Sequence, residues 1–234
     1  IEAIIHLAAL QVPFCKADPV GSTRINVMGS IHMLELARQR GITRMSYASS
    51  VAAPAMGDND WLATLYGAHK ICGEQMAAVY WQDWGVPSIG IRPAVIYGPG
   101  RDQGMSAAPT IALMAAEVGE AYTIPFPGDG GFVYVADAAE RFIAAASRSF
   151  EGAHVFDLNG TPATVTEMLA LLNDHYPDAA IEATGDPMPF PAEANSGALE
   201  QLIGLPDCRP LKAGIADTVS GFQTAKARGV DLAG

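Results

Sequence analysis

Tyr66 and Lys70 stand four residues apart in the run Tyr66-Gly67-Ala68-His69-Lys70, and Ser50 closes the upstream run Met45-Ser46-Tyr47-Ala48-Ser49-Ser50. On a helix, residues four apart share one face. A serine at the end of a preceding strand can meet them at the mouth of an α/β sheet. A free tyrosine titrates near ~10, too high for a base at neutral pH, and a neighbouring ammonium favours the phenolate and brings it down. Such a trio can take a proton from an alcohol, or return it to a carbonyl, while a bound redox cofactor moves the hydride. The plainer reading of the pair is a helix whose tyrosine packs and whose lysine is solvated.

The elements needed to position the trio are legible. Residues 3–8 form an apolar strand. Residues 17–40 are mostly helical, with Ile25, Met28, Ile31, Leu34 and Leu36 on the apolar face and Gly41 as the stop. Residues 43–49 are a strand, 64–84 a long helix ended by Gly85, and 86–91 another strand, with Pro93 barring a strand interior immediately after it. Beyond Gly98 the composition shifts. Helices are expected at 106–119, 136–148, 164–172, 196–203 and 211–227, short strands at 121–126, 132–135 and 153–158, and a Pro-rich loop at 185–195. Thr164 to Glu167 fits a capping box. The alternation of strand and helix predicts an α/β fold with a largely parallel sheet.

Further segments extend the pattern: Ile5-His6-Leu7-Ala8-Ala9, Asn26-Val27-Met28-Gly29, Arg92-Pro93 leading to Tyr97-Gly98-Pro99, and Val135-Ala136-Asp137 opening a helix. In this order and spacing, over most of residues 1–150, they resemble the extended short-chain dehydrogenase/reductase family, its NAD-dependent epimerase/dehydratase group. The resemblance implies a Rossmann-type doubly wound parallel sheet over 1–97 and a smaller substrate lobe over 98–234, some segments of which return to the first body. It implies NAD or NADP as cofactor, with Ser50, Tyr66 and Lys70 catalytic. Ala8, Ala9, Tyr66, Lys70, Pro93 and Ala94 would face the cofactor, and Lys70 would also bond the nicotinamide ribose. Family members commonly dimerise through two long helices, here 17–40 and 64–84, where Ile71, Met76 and Val79 could form the seam.

Other residues carry weaker expectations. Arg101 and Gln103 lie on a glycine-flanked loop after the sheet, where ligands bind in open α/β folds, and are expected to grip substrate together with Ser50; a solvated loop is the competing reading. Asn26 is expected to bend a helix or hold water, His6 to be a hydrogen-bonded core histidine, His69 to be incidental, and Asp137 to cap its helix. Nucleotide-sugar members of the family often carry an asparagine at the position of Val95 and an arginine near Gly130. A diphosphate needs donors or cations, so their absence makes a free sugar, sugar acid or other small hydroxy or keto compound an alternative substrate.

The net charge of −11 argues against nucleic acid or an anionic membrane surface, and no apolar run approaches the ~20 residues of a membrane span. Cys15, Cys72 and Cys208 lack metal-ligand spacing and are odd in number, which fits a reducing, cytoplasmic setting. The chain opens on Ile1, directly at a strand, without the glycine-rich turn that the family places earlier; about two βα units, on the order of 60 residues, are expected to precede it. The leading expectation is thus an NAD(P)-dependent sugar epimerase or dehydratase. The alternatives are a dehydrogenase/reductase of a small sugar, sugar acid or hydroxy/keto compound, and a non-catalytic remnant that acts by binding.

Overall fold

The computed structural model describes residues 1–57, 61–188 and 197–232. In chain order the elements are β1 (Ile4–His6), α1 (Val12–Ala17), α2 (Pro19–Thr23), a π-helical turn (Arg24–Met28), α3 (Gly29–Arg40), β2 (Met45–Ala48), α4 (Leu65–Trp84), β3 (Ser88–Pro93), β4 (Val95–Tyr97), α5 (Ala108–Val118), β5 (Tyr122–Ile124), β6 (Asp129–Tyr134), α6 (Val135–Ala145), β7 (Ala153–Leu158), β8 (Thr161–Thr164), α7 (Val165–His175), β9 (Ile181–Ala183), α8 (Gly197–Ile203) and α9 (Leu211–Ala227). The Pro-rich stretch expected at 185–195 lies, from residue 189 on, outside the described residues.

The chain divides into two units. The first comprises Ile1–Pro93, Ala138–Leu158 and Asn195–Pro206; the second comprises Ala94–Asp137, Asn159–Ala194 and Asp207–Gly234. The first is built on a four-stranded sheet in the order β1-β2-β3-β7, parallel throughout, which bears out the expected α/β class with a parallel Rossmann-type sheet. Ile4, Met45 and Tyr47 pack with Leu34 and Ala37 of α3 and Ala77 and Tyr80 of α4 on one face. On the other face Ser46 Oγ donates to the Phe142 carbonyl of α6 at 2.9 Å. A parallel strand is buried on both faces in this way. The exceptions are the two rim strands: Ile5 of β1 is 41 % exposed, and of β7 only Leu158 is buried. A buried ion pair, Arg141 Nε to Glu200 Oε1 at 3.0 Å, ties α8 to α6.

The expected helix stops are observed. Gly41 and Gly85 adopt φ of +63° and +65° after α3 and α4, a conformation that glycine enters without strain. The helix expected over 17–40 is three consecutive pieces, α2, the π turn and α3. Its apolar face is narrower than expected: Leu34 is buried, while Ile25 and Met28 are exposed.

The second unit holds β4, β6 and β8 in one sheet, with β4/β6 parallel and β6/β8 antiparallel, and β5 paired with β9. Leu113, Met168, Leu172 and Ile215 are its fully buried centre. β8 and β9 were not expected from sequence. β8 contains Pro162, which a strand on the rim of its sheet tolerates. The capping box of Thr164 and Glu167 is present at the start of α7. Pro93 does not cut its strand short: it is the last residue of β3, and the chain enters another sheet at Val95.

Candidate active site

All pairings in the first sheet are parallel, so β1, β2 and β3 finish at the same edge, and the residues just past their ends gather there. Ala8 and Ala9 follow β1, Ser49 and Ser50 follow β2, and Arg92 and Pro93 end β3. Helix α4 brings Tyr66 and Lys70 to the same unit. It begins cleanly because Thr64, in extended conformation, accepts the Gly67 N–H on its side chain at 3.0 Å.

Lys70 Nζ donates to the Ala48 carbonyl at the end of β2, 2.6 Å away. The same ammonium lies 5.4 Å from the centroid of the Tyr66 ring, within cation–π range. Enclosure lowers the Lys70 pKa to about 8, against the opposing pull of Cys15 and Glu74. Ser50 Oγ accepts the Ala52 N–H at 3.1 Å, which turns the chain sharply after β2. That turn rests on α4 at Gly67: a Cβ there would sit 2.5 Å from the Ala52 carbonyl oxygen. The glycine between Tyr66 and Ala68 therefore lets the serine-bearing turn and the tyrosine-bearing helix close on each other. Tyr66, Lys70, Ser50, Pro93, Ala94 and Ala9 are all half-buried, and Ala8 is exposed.

Behind this edge lies polar structure that the sequence reading missed. Glu74, one turn past Lys70, is 5 % exposed. Its carboxylate accepts Arg92 Nε at 2.8 Å and Arg92 Nη2 at 2.6 Å, and also the Ser49 hydroxyl. Arg92 Nη1 lies a further 3.7 Å from Asp157 of β7. The available signal was an acidic residue four positions after the lysine, on the same stripe of the helix.

His69 is not incidental. It is 5 % exposed, with Nε2 2.9 Å from Thr23 Oγ1 and Nδ1 3.2 Å from Asn26 Nδ2 and 3.9 Å from Cys15 Sγ. Although it does not share the Tyr66/Lys70 face, α4 is packed on more than one side, and this side meets α1, α2 and the π turn. Burial and the Lys70 charge lower its pKa, favouring the neutral ring. Asn26, in the π turn, accepts the Leu10 N–H at 2.7 Å and donates to the Leu10 carbonyl at 2.9 Å. Its amide thus holds both polar groups of the backbone that follows Ala8 and Ala9. His6 Nε2 lies 3.3 Å from Ser30 Oγ, and burial, then Lys70, lowers its pKa.

In the second unit, Arg101 and Gln103 lie on the loop between β4 and α5. Arg101 Nη2 donates to Ser106 Oγ at 3.1 Å, and Gln103 is exposed. Asp137, expected to cap its helix, lies in the first turn of α6 and accepts the Arg209 backbone N–H and Nε, each at 2.8 Å, and so ties the segment before α9 to the start of α6. Val95 is buried in the unit's core. Among the described residues there is no group of histidine, cysteine or acidic side chains arranged to hold a metal. No helix among them is long and apolar enough to cross a membrane.

The NAD dependent epimerase/dehydratase family matches residues 1–159. The UDP-glucose 4-epimerase of Mycolicibacterium smegmatis is 28% identical over 158 residues, 62% of this chain and 50% of that protein. The chain spans about half the length of the curated relatives it matches. Among solved structures, a partial consensus L-threonine 3-dehydrogenase superposes with a TM-score of 0.84 at 22% identity, over 96% of this chain and 79% of that one. The UDP-glucose 4-epimerase of Thermus thermophilus, in complex with NAD, superposes with a TM-score of 0.76 at 26% identity, over 94% and 77%.

Proposed function

The chain belongs to the NAD dependent epimerase/dehydratase family, and on that premise we propose that it works as an NAD- or NADP-dependent sugar epimerase or dehydratase in which Ser50, Tyr66 and Lys70 move the proton. The observation that carries the reading is the seat of Lys70: its ammonium is fixed on the Ala48 carbonyl at the end of β2 and lies beside the Tyr66 ring one helical turn away.

The residues fit the nicotinamide-ribose end of such a cofactor. Small side chains at Ala8 and Ala9 leave the backbone after β1 open to close approach. Lys70 has three N–H donors, of which Ala48 takes one. Pro93 and Ala94 would meet the ring from the end of β3. Held there, such a cofactor would supply a reversible acceptor for the hydride of the substrate carbon.

Tyr66, held toward its phenolate form by the Lys70 charge, takes the proton of the substrate hydroxyl, and Ser50 Oγ donates to the same oxygen. Return of proton and hydride to the opposite face of a rotated keto sugar inverts the carbon; loss of water from the oxidised sugar is dehydration. Arg101 and Gln103 would grip the substrate. The likeness to the UDP-glucose 4-epimerase of Mycolicibacterium smegmatis makes a sugar nucleotide the first substrate class to try. For a homodimer through α2–α3 and α4, the expected seam residue Val79 is exposed, Ile71 is half-buried, and Met76 packs against the core of its own unit; Ile25 and Met28 of the π turn add exposed apolar surface. A reducing, cytoplasmic setting fits the thiol state of Cys15, Cys72 and Cys208.

One observation favours a second reading. Val95 is 5 % exposed in an apolar core, and Gly130 has no side chain, so neither position offers a donor to a diphosphate. A dehydrogenase or reductase of a free sugar, sugar acid or other small hydroxy compound needs none.

Tyr66→Phe separates these readings from a non-catalytic remnant. With UDP-glucose and with free hexuronate as probes, in the presence of NAD or NADP, turnover is expected to fall by about 10²- to 10⁴-fold, with cofactor affinity retained. Turnover equal to wild type removes Tyr66 from the mechanism. Net accumulation of reduced cofactor marks a dehydrogenase; conversion without it marks an epimerase. Absence of turnover, together with no shift in melting on adding either cofactor, leaves the binding remnant.

A further inference from the structure

The geometry points to Glu74 as the positioning residue of this site: its carboxylate fastens the ends of β2 and β3 to α4 and so sets the separation at which Ser50 and Tyr66 address one substrate oxygen. The inference rests on the proton-transfer reading of Ser50, Tyr66 and Lys70.

Three placements support it. Glu74 follows Lys70 by one helical turn and Tyr66 by two, so all three lie along one stripe of α4. Its two strand partners are each one residue from a position that the site uses. Ser49, 3 % exposed, precedes Ser50, and Arg92 precedes Pro93. Ser49 is held twice over, because its N–H also donates to the Ile91 carbonyl at 2.7 Å. One carboxylate thus registers the β2 end, the β3 end and α4 together.

Fold stability alone does not call for this arrangement. A buried ion pair is no better for stability than well-packed apolar side chains of similar volume, and neighbouring positions of the same sheet, such as Ile89 and Ile91, are apolar and fully buried. What the charged cluster adds is direction. The Arg92 fork engages both carboxylate oxygens, a bidentate geometry that fixes orientation as well as distance. Glu74 also contributes negative potential at the Lys70 ammonium, opposing the effect of its enclosure. The other ionisable groups facing that ammonium are Cys15 of α1, His6 of β1, and His69 and Tyr66 of α4 itself.

The test compares wild type, Glu74→Gln, Glu74→Asp and Ser49→Ala, each as the cofactor-bound protein with UDP-glucose as probe, alongside Lys70 titration by NMR after labelling lysine at Cε. Glu74→Gln is expected to lower kcat by about 10- to 100-fold while KM for NAD changes by less than about threefold, and to move the Lys70 titration to lower pH. Glu74→Asp keeps the charge and is expected to restore the titration but not the full kcat. Ser49→Ala leaves the Arg92 pair in place, so it keeps the comparison usable if Glu74→Gln folds poorly; its expected loss in kcat is about 5- to 10-fold. Wild-type kcat in both Glu74→Gln and Ser49→Ala overturns the inference. So does a Lys70 titration in Glu74→Gln that is unchanged or moved upward, a readout that stands even where UDP-glucose is not turned over. Tyr66→Phe run in parallel keeps the two ideas apart: full turnover in that variant defeats the trio, whereas an inactive Tyr66→Phe beside an unaffected Glu74→Gln defeats the positioning role alone.

Discussion

Lys70 has one proton to lose within reach of ordinary assay conditions. Its pKa is lowered to about 8 by enclosure, so the ammonium that the proposed mechanism sets beside Tyr66 is present below that pH and is lost as pH rises through it. Turnover by the cofactor-bound protein is therefore expected to fall about tenfold per pH unit once Lys70 is largely neutral. A rate profile between pH 6 and 10 checks this, and a plateau through pH 9.5 contradicts it. The spacing of Tyr66 and Lys70 was legible because four residues is one turn of helix, a local property of the chain. Glu74, His69 and the glycine at 67 were not, because what matters about each is a partner far off in sequence: Arg92 for Glu74, Thr23 and Asn26 for His69, the Ala52 carbonyl for Gly67. Burial of a charged or polar side chain is a tertiary fact that residue type alone does not announce.

At the scale of elements, the π turn Arg24–Met28 lets the Asn26 amide reach the Leu10 backbone without breaking the run of helix from α2 to α3. Replacing Asn26 with leucine removes both bonds and the contact with His69, leaving the Leu10 N–H without this acceptor while its C=O keeps the Cys15 thiol. The expected cost is about 2 to 4 kcal/mol of stability, measured by urea unfolding, together with weaker NAD binding because the segment after Ala8 and Ala9 is released. Stability within about 0.5 kcal/mol of wild type, as for an ordinary surface substitution, would contradict the clamp. The sequence reading expected a bend or a held water here and was close in kind. Helix ends were legible wherever glycine supplied a left-handed stop, as at Gly41 and Gly85. β8 and β9 were not, since three or four residues with a proline or few β-branched side chains carry no period to detect.

At the scale of the whole molecule, charge and exposed apolar surface decide association. Ile25, Met28 and Val79 are each close to half exposed on helices of the first unit. If they form the homodimer seam, Val79→Asp is expected to convert dimer to monomer in sedimentation velocity, with the melting temperature falling as the partner is lost; an unchanged mass would place the seam elsewhere. The alternation of strand and helix made the α/β class legible over the full length. It could not show that 138–158 and 197–206 return to the first unit, because such returns are fixed by long-range contacts such as Ser46 on the Phe142 carbonyl and β7 along β3, and not by any local pattern. The rim strand β1 pairs with β2 alone among the described residues, and its Ile5 is 41 % exposed. In water such a rim acts as a template. One further strand laid along it, whatever its source, gains main-chain hydrogen bonds and helps to cover Ile5 in a single step.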